Sequence, residues 1–348
     1  MLIRKSWVVF IYAITISLES IIIEYLTTFS SVRFSPIMLS AISITFAGML
    51  LLLVAAYMFK RTKNIAFLFA KSWKNLILAS LSLSFGIFTW YDSINRIGAS
   101  KEVLIAGPLE IVIIVLLARL FLKERLNRFH FIGIGIALLG FFMAVVSDTN
   151  FATPDDTQRS ITEVSPTIAK STPISVRIIS FGDIEAILSA IGFAGGVIFL
   201  TKLTMISSPL EVAGASMLTS GLILVGFMAV GIISFAADNQ VLPSKEISAL
   251  GQPLVFSVVV FLFFSLLPFI GSLSYSTGLS RIGASLTSTI GSSSILMTVM
   301  LQLILREFGI NTHLPENIFL AIFGGVTSFL GIYLIHIPNY SMSMTKKK

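Results

Sequence analysis

Ten stretches of roughly 20 apolar residues, each long enough to cross a bilayer as a helix, leave this chain little room to fold as anything but a helical membrane protein. They run over 7–28, 36–59, 75–94, 103–121 and 129–146, then 184–203, 209–235, 253–274, 284–305 and 318–336. The first and sixth stretches also fit re-entrant segments. Only 12% of the 348 residues are charged, about half the share of a soluble domain, and the mean hydropathy is +0.94.

The two sets of five resemble each other. Arg96-Ile97-Gly98-Ala99-Ser100 reappears as Arg281-Ile282-Gly283-Ala284-Ser285. Gly86 and Gly271 each precede their copy by ten residues, and Trp90 and Tyr275 occupy equivalent positions. Downstream, Leu122-Lys123-Glu124 answers Leu305-Arg306-Glu307, and Gly133/Gly140 answers Gly324/Gly331. Upstream, Ser35-Pro36-Ile37 answers Ser208-Pro209-Leu210. Five is odd, so the second half enters the membrane from the opposite side, and the repeats are inverted. The expected fold class is an all-α polytopic membrane protein with ten transmembrane helices as two inverted five-helix repeats.

Charge orients it. With both termini in the cytoplasm, two thirds of the 24 Lys and Arg residues fall on the inner side, as the positive-inside rule requires. The net charge of +7 therefore reports orientation, and nucleic acid is not an expected partner. Arg4-Lys5 before the first stretch imitates a signal peptide, but no small-residue cleavage site follows, so it reads as a retained span. The expected units are a first repeat at 1–147, a flexible extracytoplasmic linker at 148–182, a second repeat at 183–338 and a basic cytoplasmic tail at 339–348. The Ser-, Thr-, Pro- and Asp-rich linker reads as a tolerated insertion rather than a lid. The Asn339-Tyr340-Ser341 sequon falls on the cytoplasmic side and is accidental.

These features resemble the drug/metabolite transporter superfamily, in particular its EamA-like branch. The resemblance rests on Arg96–Ser100 and Arg281–Ser285 at the two turns, Pro108 inside the fourth span, Lys123-Glu124 with Arg306-Glu307, and the paired glycines. It implies ten helices in two inverted repeats and a carrier of amino acids, metabolites or drugs in the plasma membrane. The second half departs from the first by having Gly291 or Ser293 where Pro108 stands, which leaves a kink in the ninth helix open. The linker is also longer than the family pattern.

Ionisable groups inside spans cost several kcal/mol and are functional by default. Glu110 lies near the bilayer midplane, two residues after Pro108, whose ring removes a backbone donor and frees a carbonyl one turn earlier. A cation-binding or proton-accepting carboxylate is favoured there over a structural one. The matching stretch of the other repeat is rich in hydroxyls: Ser292, Ser293 and Ser294, with Thr287, Ser288, Thr289 and Thr298 nearby. Each serves substrate contact or close helix packing equally well. Glu19 lies about 18 Å into a core of about 30 Å, where an interior site and a structural hydrogen bond are equally expected. Glu24 points roughly 140° away from Glu19 and is expected near the outer end and hydrated. Trp90, Tyr91 and Asp92 end the third span, and Tyr275 mirrors Trp90, so these aromatics read as interfacial anchors that also enter the list of binding candidates. Glu102, Glu185 and Glu211 at span ends are expected to be hydrated, and Gly192 with Gly196 to serve packing.

Secondary transport is the reading these features favour; a channel or non-transporting sensor is the alternative. No Walker A string is present. An enzyme is not expected. Gly-x-Ser occurs at Gly98, Gly214, Gly278, Gly283 and Gly291, but His130, His313 and His336 sit at span ends or in a loop, away from any nucleophile. Zero cysteines exclude thiolate metal sites and disulfides, so no cofactor or metal is expected. Expected partners are the lipid bilayer and a small-molecule solute. A coupling proton and a homodimer stay open.

Overall fold

The computed structural model describes residues 2–30, 34–58, 72–122, 128–147, 180–237 and 254–345, and they are helical without a strand. In order they form α1 (Leu2–Glu24) continued by a π-helical turn (Tyr25–Phe29), α2 (Pro36–Met58), α3 (Trp73–Ile97), α4 (Ala99–Leu122) and α5 (Arg128–Val146). There follow α6 (Phe181–Thr204), α7 (Pro209–Ala237), α8 (Leu254–Ile282), α9 (Ala284–Gly291), α10 (Ser293–Glu307) and α11 (Ile318–Thr345). Among the described residues, eight segments are long and apolar enough to span a bilayer, α9 and α10 together making one of them. Two further apolar helices, Phe131–Val146 and Ile318–Leu334, are shorter.

The bundle is turned inside out relative to a soluble protein. Tyr57, Phe263 and Phe319 point outward, Phe319 at 89% exposure, while Ser40, Ser43, Ser80, Ser84 and Ser189 are fully buried. Lipid-facing side chains need only be apolar. Inside, small polar residues let helices approach and supply hydrogen bonds between them. Ser84 Oγ donates to the Ser220 carbonyl at 3.0 Å, and Ser220 Oγ donates to the Ser80 carbonyl at 3.1 Å, joining α3 to α7.

The principal helix pairs are α3 on α6, α1 on α8, α2 on α7 and α5 on α11. Gly86 and Gly192 meet across the α3–α6 seam, where a β-carbon on Gly192 would stand 2.6 Å from the Gly86 Cα. The packing role read for Gly192 is met there. Gly133, Gly140, Gly324 and Gly331 line the α5–α11 seam, so their common seven-residue spacing is a packing register.

Two of the connections are single glycines. Gly98 alone separates α3 from α4, with φ 82° and ψ 161°, and Gly283 alone separates α8 from α9, with φ 83° and ψ 170°. That backbone region is essentially open to glycine only. The amide of Gly98 donates to the Ile94 carbonyl at 2.9 Å, and the amide of Gly283 to the Leu279 carbonyl at 3.2 Å. The repeated pentapeptide therefore encodes one turn used twice.

Several boundaries differ from the sequence expectation. Helices α3, α4 and α8 run on through Arg96, Lys101 and Arg281, because their charged side chains do not interrupt backbone hydrogen bonding. Pro108 sits within an unbroken α4, whereas the ninth span is interrupted at Ser292, in the stretch matching Pro108. Helix α6 begins at Phe181, a few residues earlier than the expected span, because Ser180 caps it by exchanging hydrogen bonds with Asp183. The expected tail is helical to Thr345, α11 continuing past residue 338. Residues 148–179 of the linker and 346–348 of the tail lie outside the described residues.

Candidate functional site

Where α1, α3, α4, α6, α8 and α9 converge, with α2, α7 and α10 adding to the wall, the bundle holds a partly open cavity with two adjoining lobes. Both are lined by Tyr12, Ile16, Trp90, Glu110, Phe193 and Tyr275. One lobe adds Glu102, Ser20, Ser288, Ser292 and Ser294 and is the more polar. The other adds Glu19 to a wall of Ile44, Leu83, Ile87, Val197, Leu200 and Met217.

The aromatic lining has a two-fold logic. Trp90 of α3 meets Phe193 of α6 edge-on at 5.8 Å, and Tyr275 of α8 meets Tyr12 of α1 at 4.6 Å. Each third-helix aromatic also bonds to the helix that follows it. The Trp90 indole N–H donates to Glu102 at 3.0 Å, and the Tyr275 hydroxyl lies 2.9 Å from that of Ser288. Trp90 and Tyr275 are buried in this wall, so the expectation that they anchor at the interface is corrected. Their side chains face the interior of the bundle, where their polar atoms are satisfied by Glu102 and Ser288.

Glu110 projects into both lobes from α4. Among the described residues no hydrogen bond or basic partner reaches its carboxylate, although Tyr12, Tyr275 and Glu102 lie within electrostatic range. Glu19 is buried and accepts a hydrogen bond from the Tyr91 hydroxyl at 2.9 Å while touching the apolar lobe. The structural hydrogen bond expected of it is present, and its side chain also lines the cavity. Glu102 was expected to be hydrated and is instead 2% exposed, held by Trp90 and by the Ser189 hydroxyl at 3.3 Å. Sequence carried no signal for it, because the one-residue turn that brings Glu102 under Trp90 and the Ser189 donor on α6 are visible only in the fold.

Glu24 corrects its expectation most sharply. It is 1% exposed and ties four segments together. Its carboxylate accepts from the Ala99 amide at the start of α4 (3.0 Å), from the Gln302 side-chain amide of α10, and from the His313 amide (2.5 Å). His313 Nδ1 stands 3.3 Å away, and the hydrogen bond to Glu24 holds the imidazole above its ordinary range, against the opposing effect of burial. Gln302 accepts in turn from the Ser100 amide (3.1 Å) and hydroxyl. The start of α4 is a cluster of unpaired amides with a positive end, so a buried carboxylate there is satisfied without solvent.

The same end carries more polar links between the halves. Lys101 of α4 pairs with Asp183 of α6 at 2.9 Å, with both side chains buried. Arg96 bridges Asp92 and Glu185, each at 2.9 Å. Asp92 is thereby an ion-pair partner at the rim and does not line the cavity. Glu185 and Glu211 are buried rather than hydrated, Glu185 on Arg96 and Glu211 in a capping exchange with Ser208 at the head of α7. Of the three candidate serines, Ser292 and Ser294 line the polar lobe, and Ser293 does not. Pro108 is not in the lining; its neighbours Gly107 and Glu110 are.

No group of three or more His, Asp or Glu residues suited to a metal occurs among the described residues.

Comparison with known proteins agrees with this geometry in part. Residues 5–146, from the first turns of α1 to the end of α5, match the EamA-like transporter family. A solved crystal structure superposes with a TM-score of 0.60 at 15% identity, covering 95% of this chain and 98% of that one, a likeness of fold alone. Comparison with curated proteins gave no significant match.

Proposed function

The first half of the chain is EamA-like, within the drug/metabolite transporter superfamily, and from that premise we propose that the whole chain is a secondary transporter. It moves a small metabolite, amino acid or drug-like solute through the plasma membrane by alternating access, without a catalytic step. Its ten spans form two inverted five-helix repeats, with α9 and α10 as one broken span, and both termini face the cytoplasm.

The observation that carries this reading is the cavity's symmetry. Exchanging the two halves turns the α3–α6 seam into α8–α1, and the Trp90–Phe193 pair into the Tyr275–Tyr12 pair. The α2–α7 and α5–α11 seams map onto themselves. A solute site at the interface of inverted repeats is the arrangement alternating access requires. Within this symmetric frame the carboxylates Glu102 and Glu110 belong to the first half alone, and hydroxyls stand opposite them.

The test is solute counterflow in proteoliposomes, with and without a pH gradient, using the parent chain and Glu110→Gln. The substitution keeps size and removes the charge. We expect saturable exchange by the parent and a fall of at least about tenfold in coupled transport by the variant, with membrane insertion intact. Weakened pH dependence with preserved exchange assigns Glu110 to proton coupling, and weakened solute binding assigns it to direct contact. Unchanged transport removes Glu110 from the site. Ohmic current in place of saturable exchange favours a channel.

A further inference from the structure

The solute's chemical class can be read from what the cavity offers and what it withholds. Its formal charge is carried by Glu110, Glu102 and Glu19, and among the described residues no Lys, Arg or His lines either lobe. Glu102 and Glu19 already accept hydrogen bonds from Trp90, Ser189 and Tyr91, leaving Glu110 as the carboxylate without a described donor. Around Glu110 stand Tyr12, Trp90, Phe193 and Tyr275, arranged as two crossed aromatic pairs.

An anionic solute would meet carboxylates with no compensating cation. The carboxylate of a zwitterion would face the same difficulty. A neutral solute would leave Glu110 either charged in a space walled by apolar groups or dependent on a proton. An ammonium ion meets both offers at once, because aromatic faces attract cations and an adjacent carboxylate compensates the charge as water is shed. The lobe next to it is mostly apolar, with Ile44, Leu83, Ile87, Val197, Leu200 and Met217 outweighing Glu19 and the serines Ser216, Ser272 and Ser276, and matches a hydrocarbon body.

We propose that the cavity takes a small organic ammonium ion, its cationic head beside Glu110 among Tyr12, Tyr275, Trp90 and Phe193, and its apolar body in the second lobe. The proposal rests on reading this cavity as the transport path. It names the class of solute that path accepts. The asymmetry of the halves follows: the first half supplies the countercharge, and the second supplies hydroxyls that hydrogen-bond without adding charge.

The test uses four phenyl-bearing probes of similar size that differ in charge: phenethylammonium, 2-phenylethanol, 3-phenylpropionate and the zwitterion phenylalanine. Trp90 is the reporter, since Trp7 and Trp73 are exposed and lie outside the lining. In Trp7→Phe/Trp73→Phe protein purified in detergent, phenethylammonium should quench Trp90 and bind at least about tenfold tighter than the alcohol, with the carboxylate weakest. Glu110→Gln should erase that preference. Tyr12→Leu should weaken the ammonium more than the alcohol, and Tyr12→Phe should restore it. Should Glu110→Gln not fold, as judged by thermal unfolding, Glu110→Asp takes its place: drawing the charge back by one methylene should shrink the ammonium preference, and the Tyr12 pair is read as before.

Equal affinity for ammonium and alcohol overturns the proposal. So does tighter binding of the carboxylate or the zwitterion, binding of none of the four, or a preference unchanged by loss of the Glu110 charge. Counterflow of the same probes separates the two readings. Exchange that ignores solute charge overturns the ammonium class and leaves the transporter standing. Charge-selective binding without exchange keeps the site and overturns transport.

Discussion

Glu24 satisfies amides from α4, Gln302 and His313 with one buried carboxylate, so removing it orphans several donors at once. Glu24→Ala is expected to cost on the order of 3 kcal/mol, read as a lowered thermal midpoint in detergent. Glu24→Gln should cost less, since one of its two acceptor positions survives. His313 adds a pH signature. Its folded-state pKa lies above its unfolded value of about 6.5, so its contribution is complete below that pH and fades as pH rises through the folded value. The thermal midpoint should therefore fall on going from about pH 6 to pH 8.5, and His313→Asn should remove that part of the fall; an identical profile in the variant would refute the link. From the sequence, the inward placement of Glu110 and Glu19 was legible, because an acidic residue deep in an apolar run has few places to point. Glu24 and Glu102 were misread as hydrated. Position along a span gives depth, but the partners that let a carboxylate stay dry near a span end come from Ala99, Gln302 and His313 in one case and Trp90 and Ser189 in the other.

Among the elements, the two one-residue turns offer a matched experiment. Gly98 and Gly283 share a backbone conformation, so alanine at either site should cost about 1–2 kcal/mol in strain. Their surroundings differ. A β-carbon on Gly98 would lie 2.6 Å from the His313 β-carbon, while no described residue comes within 4 Å of one on Gly283. Gly98→Ala should accordingly lower the unfolding midpoint more than Gly283→Ala; equal losses would mean that strain alone decides. The repeat of five residues announced the turns, since only the glycine between Ile and Ala can take this backbone. It did not announce how tight they are. Charges at Arg96, Lys101 and Glu102 made the neighbouring spans read as ended, yet those charges are met by Glu185, Asp183 and Trp90 while the backbone continues helical. The break at Ser292 has no proline to mark it, and sequence left that point open.

At the scale of the whole molecule, the absence of native cysteines makes sidedness directly measurable. Single cysteines at Thr157 and Ser343 should react with an impermeant reagent from opposite faces of the membrane. Reaction from one face would remove the five-plus-five inversion. The sequence argues for that inversion because an odd number of spans per repeat would force it, and the labelling decides it. The identity of the seams was not legible, since no periodicity in α3 names α6 rather than α4 as its closest neighbour. Among the described residues the fastening gathers at one end: Glu24 with Gln302 and His313, Lys101 with Asp183, and Arg96 with Glu185 all lie at the Gly98 turn, while no described residue crowds the related Gly283 turn. Two halves that trade places would do so evenly only if both ends were fastened alike. On the transport reading proposed above, a carrier built this way would rest on one side of its cycle, each 1.4 kcal/mol of difference between the ends making that side about ten times the more populated. The solute must then do more than fit: it has to bind the scarcer arrangement more tightly than the common one, and the unequal ends set how much more tightly.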